Sequence, residues 1–106
     1  MVRDSVLQEA VRRLVDGFAP RAVILFGSQA RGDADDGSDV DLLVVFDRLE
    51  DRAETCLAMD RALWGLRLPR DVIAVTIDEY RRERETPGSI LRPAYLEGKV
   101  LYGRAA

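Results

Sequence analysis

Residues Gly27 to Phe46 read GSQARGDADDGSDVDLLVVF, and this stretch holds both the strand that sets the fold and the acids that set the chemistry. Val40 to Phe46 is apolar at every position except Asp41. A run of this length without alternation predicts a strand buried on both faces of a sheet. Asp39 and Asp41, two residues apart, would point to the same side of that strand with Cα atoms about 6.5 to 7 Å apart. Leu43 and Val45 continue their face, and Val40, Leu42, Val44 and Phe46 line the other. Two like charges at the mouth of an apolar strand repel and resist desolvation, a cost that a cation or several donors would relieve. Magnesium takes one or two carboxylates together with phosphate oxygens and water, so Asp39 and Asp41 supply its minimum protein ligand set.

Upstream of this stretch, Ala22 to Phe26 (AVILF) is apolar on both faces and stops at Gly27, as an interior strand does. Gly27 and Ser28 then open a short helical turn, where backbone N–H groups and a hydroxyl can hold phosphate oxygens and the glycine admits close approach. Arg31 is within reach of a triphosphate or is an exposed loop arginine. Ser38 bonds the loop backbone or a phosphate. Asp71 to Thr76 (DVIAVT) predicts a third strand, with Asp71 at the entrance of a face continued by Ile73 and Val75. On a strand adjacent to the first pair, its carboxylate would complete a two-metal site of the kind used in phosphoryl and nucleotidyl transfer.

The rest of the chain supplies helices. Leu7, Val11, Leu14, Val15 and Phe18 share one helical face between Ser5 and Phe18, and Ser5 with Gln8 has the spacing of a capping box. A second helix is expected from Arg52 to Leu66, on the spacing of Ala53, Leu57, Leu63, Trp64 and Leu66, with Pro69 closing it and Trp64 anchoring the core or a partner surface. Helices near Asp78–Arg84 and Ser89–Glu97, broken at Pro87 and Gly88, precede a short strand from Lys99 to Tyr102. Arg81, Arg82 and Arg84, interleaved with Glu83 and Glu85, suggest a solvated helix face. The order predicts a single α/β (α+β) domain over residues 1–106, a mixed sheet flanked by helices.

Composition narrows the function. The 106 residues carry a net charge of −3 with no histidine, one cysteine and 47% hydrophobic residues. Without an imidazole, a Ser-His-Asp or Cys-His nucleophile lacks its base, and a zinc site lacks its usual ligands. Cys56 has no partner for a disulfide and is expected as a small buried hydrophobe. No apolar run approaches the ~20 residues of a membrane helix and the amino terminus has no secretory pattern, so a cytoplasmic location is expected, with no membrane association. The mildly acidic balance argues against direct nucleic-acid binding. Asp33, Asp35 and Asp36 do not fit a calcium loop, since its turn glycine would fall on Ser38 and its glutamate on Val44. P-loop and dinucleotide fingerprints are missing.

Gly27-Ser28, ten intervening residues and then Asp39-Val40-Asp41 resemble the signature of the polymerase-β-like nucleotidyltransferases, and GSQARGDADDGSDVDLLVV is similar to their minimal branch. Asp71 in DVIAV stands where that family places its third metal-binding acid, and EGKVLYG resembles its final strand. The resemblance implies a magnesium-dependent transfer of AMP from ATP, with two ions held by Asp39, Asp41 and Asp71 and the triphosphate cradled by Gly27 and Ser28. It also implies the antitoxin half of a toxin–antitoxin pair, in a hetero-oligomer with a helical HEPN-type toxin that is modified on a tyrosine. Two other functions stay open: an antitoxin that inhibits by contact alone, and nucleotidylation of a small antibiotic. The chain length leaves no room for an added acceptor domain, which favours an acceptor carried by a partner protein.

Overall fold

The computed structural model describes residues 4–32 and 39–105. Helix α1 (Asp4–Phe18) leads into β1 (Ala22–Phe26), the single-turn helix α2 (Ser28–Arg31) and β2 (Val40–Phe46). There follow α3 (Arg52–Ala62), β3 (Arg70–Thr76), α4 (Ile77–Glu83), α5 (Leu91–Glu97) and β4 (Lys99–Gly103). The four strands form one sheet in the order β3-β2-β1-β4. β1 runs antiparallel to both β2 and β4, and β2 runs parallel to β3. The sheet is therefore mixed, as expected, with β1 and β2 inside and β3 and β4 at its edges.

Asp41 apart, both inner strands are apolar on both sides because a helical layer covers each face. Val23 and Leu25 of β1 join Leu42, Val44 and Phe46 of β2 against Ala10 and Leu14 of α1 and Met59 of α3. On the opposite face Ala22, Ile24, Phe26, Leu43 and Val45 pack with Ile77 and Tyr80 of α4 and Leu91 and Ala94 of α5. Each fully buried aliphatic side chain in these layers contributes about 1.5–3 kcal/mol of transfer free energy. Partition of β2 follows the predicted parity, and it leaves Asp41 on the α4–α5 face.

Several helix expectations need correction. Ser5 lies inside α1 and does not cap it, since the helix already includes Asp4. The capping box falls at Thr76, whose side chain accepts from the Glu79 N–H at 3.1 Å while Glu79 accepts from the Thr76 N–H at 2.9 Å. β3 thus passes directly into α4. α3 ends at Ala62, four residues before Leu66, and the side chains it buries are Met59 and, in the turn that follows, Leu63. Ala53, Leu57 and Trp64 face solvent, Trp64 being 65% exposed, so the tryptophan is not a core anchor. Cys56 is half-buried against the α1–α3 layer. Arg81 and Arg82 are exposed, but Arg84 is half-buried and lies over the Tyr95 ring. No helix among the described residues is long and apolar enough to cross a membrane.

Glu79 is pushed up by burial, but bonds from the Thr76 backbone and the Arg52 guanidinium outweigh this and lower its pKa. Its contribution is present at neutral pH and is lost as pH falls through that lowered pKa. Removing the cap with Thr76→Ala is expected to cost about 1 kcal/mol, a drop of roughly 5 °C in melting temperature at pH 7. The deficit should shrink in acid. A melt unchanged by the substitution would remove the cap from the stability of the β3–α4 junction.

Candidate active site

The register brings the acids to one end of the sheet. In the parallel pair Asp41 stands directly beside Asp71, and in the antiparallel pair Asp41 stands beside Phe26, the last residue of β1. Directly paired residues on neighbouring strands are about 4.8 Å apart. Asp71 and Asp41 therefore share a row, on the face that Ile73 and Leu43 continue. Asp39 lies just ahead of β2, whose first residue is Val40, so it belongs to the entry to the strand and not to the strand itself. Asp39 and Asp71 are exposed and Asp41 is half-buried between them and the core. The Val40 N–H donates to the Pro69 carbonyl at 2.7 Å, which ties the starts of β2 and β3 together just below the acids.

The electrostatics agree with this grouping. Burial raises the Asp41 pKa above its ordinary value, the charges of Asp71 and then Asp39 raise it further, and Arg31 pulls the other way. Asp41 thus feels both other acids and one cation. Arg31, the last residue of α2, forms an ion pair with Glu97 at 3.3 Å. Among the described residues no three metal-ligating side chains are gathered closely enough to hold an ion unaided. Asp39, Asp41 and Asp71 still offer what magnesium takes: hard carboxylate oxygens whose mutual repulsion a divalent cation relieves, the remaining positions falling to phosphate and water.

Gly27 adopts φ 74° and ψ −157°, a conformation essentially reserved for glycine. A Cβ built there would lie 2.2 Å from Asp41 Oδ2. The space that glycine leaves open is thus occupied by the Asp41 carboxylate, a contact that requires β1 and β2 to be paired. Ser28 begins α2 and is half-buried, beside a helix start whose first N–H groups have no partner within the helix. Gln29, at 5% exposure the one buried polar side chain among the described residues, escaped the sequence analysis. So did Glu97. Its ion pair with Arg31 joins residues 66 positions apart, and no local pattern marks it. Ser38, and with it the loop acids Asp33, Asp35 and Asp36, lies outside the described residues.

The mixed sheet thus brings acids to the start of two parallel strands, with a glycine-led turn beside them. Residues 5–97 match the nucleotidyltransferase domain family, and the chain belongs to it. Its fold is shared with a candidate nucleotidyltransferase from Sulfolobus solfataricus, at 24% identity and a TM-score of 0.64 over 94% of this chain and 79% of that one. It is also shared with a chain from a toxin–antitoxin structure with AMP-PNP, at 20% identity and a TM-score of 0.61 over 92% and 73% of the two chains. The chain matches no curated protein.

Proposed function

We propose that the chain transfers AMP from ATP, with magnesium, to a hydroxyl of a partner protein, a tyrosine of a HEPN-type toxin, and so acts as that toxin's antitoxin in a hetero-oligomer. The observation that carries this is the row of Asp41 beside Asp71, with Asp39 acting on the same carboxylate. The kinship with nucleotidyltransferases supports the reaction, and the toxin–antitoxin neighbour with AMP-PNP supports the kind of partner.

The acceptor oxygen attacks the α-phosphorus in line. An O–P bond forms, the bond from the α-phosphorus to the bridging oxygen breaks, and pyrophosphate leaves with that electron pair. Asp39 and Asp41 would hold magnesium on the triphosphate, and Asp71, exposed at the rim, would share the second ion and take the acceptor proton. Magnesium supplies neutralisation of the charge that builds on the phosphates. Ser28 and the Gly27 backbone bind the outer phosphates, Arg31 adds a guanidinium to them, and Ser38 serves the loop or a phosphate. The chain's own contribution is to position the reactants and to exclude competing geometries.

The test combines the purified protein, magnesium, each labelled triphosphate in turn and the product of the adjacent gene. One AMP added to that product, from ATP only, is the expected mass change. Inhibition of the partner with no mass change would favour an antitoxin that works by contact. Label appearing on an aminoglycoside in the absence of any protein acceptor would move the activity to small molecules.

A further inference from the structure

Leu57 and Trp64 apart, the exposed large apolar side chains among the described residues fall between Ile90 and Tyr102: Ile90, Tyr95, Leu96, Val100 and Tyr102. Ile90 immediately precedes α5, Tyr95 and Leu96 lie on α5, and Val100 and Tyr102 lie on β4, which is an edge strand whose main packing partner is β1. An apolar edge strand with an open row of backbone donors and acceptors is a template for another chain. Beside it is a cleft of about 600 Å³ lined by Tyr80, Arg84, Tyr95, Val100, Arg104 and Ala105. The Arg84 guanidinium sits 4.9 Å from the Tyr95 ring centre and 6.0 Å from that of Tyr80. The aromatic rings meet edge to face at 6.3 Å.

The charge of this edge opposes that of the whole chain. From Arg84 to Arg104 the sequence has four cations, Arg84, Arg92, Lys99 and Arg104, and two carboxylates, Glu85 and Glu97. Glu97 is engaged with Arg31. None of the four cations has a carboxylate partner among the described residues, so a basic, apolar edge stands on a chain of net charge −3. A second copy is a poor occupant, because pairing two β4 strands about a two-fold axis would set these cations against one another. An acidic partner is a good one.

We infer that β4 and its flanking cleft are the docking surface for the acceptor protein, which lays an extended segment along β4 and places an acidic side chain between Arg84 and Arg104. Main-chain hydrogen bonds to the strand give affinity, and the guanidinium groups select the carboxylate. This inference rests on the reading that the acceptor is a protein, and it adds where that protein binds. Lys99 pairs with Leu25 and Leu25 with Leu42, so the start of β4 lies at the end of the sheet that carries Asp41. A strand added to β4 runs about 14 Å from β2, a distance that four or five extended residues cover. The acceptor hydroxyl can therefore follow the docked segment directly.

Calorimetric titration of the intact chain with the product of the adjacent gene tests this, with magnesium and AMP-PNP as a separate titrant. Val100→Asp and Arg104→Glu are each expected to weaken protein binding by roughly tenfold or more, with AMP-PNP binding unchanged and Leu57→Asp on α3 behaving as the parent does. If Val100→Asp fails to fold, Lys99→Glu with Arg104→Glu asks the same question through exposed charges. Parental affinity in the folded β4 variants overturns the inference, and loss confined to Leu57→Asp moves the interface to α3. Concentration-dependent doubling of mass that Val100→Asp abolishes assigns the edge to a second copy and overturns it too. If the neighbour is adenylated but bound equally by the β4 variants, the docking surface fails and the reaction stands. If the parent chain neither binds nor labels it, both fall.

Discussion

Asp41→Asn is expected to abolish AMP transfer and yet give a protein that melts at a higher temperature than its parent. Asparagine keeps the shape of the side chain and removes the charge that burial, Asp71 and Asp39 all disfavour. A carboxylate with a raised folded-state pKa stabilises the fold most at low pH, below its ordinary value of 3.8, and that contribution is lost as pH rises through the raised value. At neutral pH the metal-free parent therefore carries a penalty that the variant lacks. Under the proposed mechanism transfer should fall by roughly a thousandfold or more, about 4 kcal/mol in the barrier, because magnesium would lose the most central of the carboxylates proposed to hold it. Melting scans from pH 4 to 8 without metal, and again with magnesium and AMP-PNP, separate the two effects. The parent should gain stability on adding ligand and the variant should gain far less. Transfer at the parental rate would remove Asp41 from the reaction, and a variant that melts below the parent at pH 7 would remove the electrostatic penalty.

Gly27→Ala should be nearly as damaging, for a reason that lies in packing. The substitution forces a side chain into a conformation that only glycine adopts comfortably, at a cost of about 1–3 kcal/mol. It also drives a methyl group into the space held by Asp41 Oδ2. Either the carboxylate moves out of its row beside Asp71 or the end of β1 separates from β2. Denaturant unfolding is expected to show a loss of about 2–3 kcal/mol, and transfer should fall at least a hundredfold even where the variant is fully folded. A Gly32→Ala control meets no atom of the described residues within 4 Å of the added Cβ, although its φ of 80° carries strain of its own. The control should lose stability and keep most of the activity. Equal losses of activity in the two variants would mean that strain alone matters and the contact with Asp41 does not.

The inner part of the fold was legible because burial on two faces leaves no polar interruptions: Ala22–Phe26 and Val40–Phe46 are the strands that the apolar runs mark, and β3 begins one residue before Asp71. The facing of Asp41 followed from parity. What the sequence could not supply was pairing across long separations. The direct partnership of Asp41 with Asp71, the seat of the Asp41 carboxylate against Gly27 and the ion pair of Arg31 with Glu97 all depend on strand order and direction, which local patterns do not encode. α3 misled for a different reason. Ala53, Leu57 and Trp64 form a stripe at helical spacing, but the side that packs is set by Cys56, Met59 and Leu63, and tertiary contacts decided between two apolar stripes. Ser5 has Gln8 at the interval of a capping box, yet Thr76 has the same relation to Glu79 and is the one that caps.

Helices sheathe β1 and β2 on both sides, and every residue of β1 is buried. Mutational drift in such a strand is confined to swaps of similar volume, whereas α5 and β4 at the perimeter have open sides. A chain of this build can therefore take changes along its β4 border while the seat of Asp41 against Gly27, held between the two inner strands, is left undisturbed.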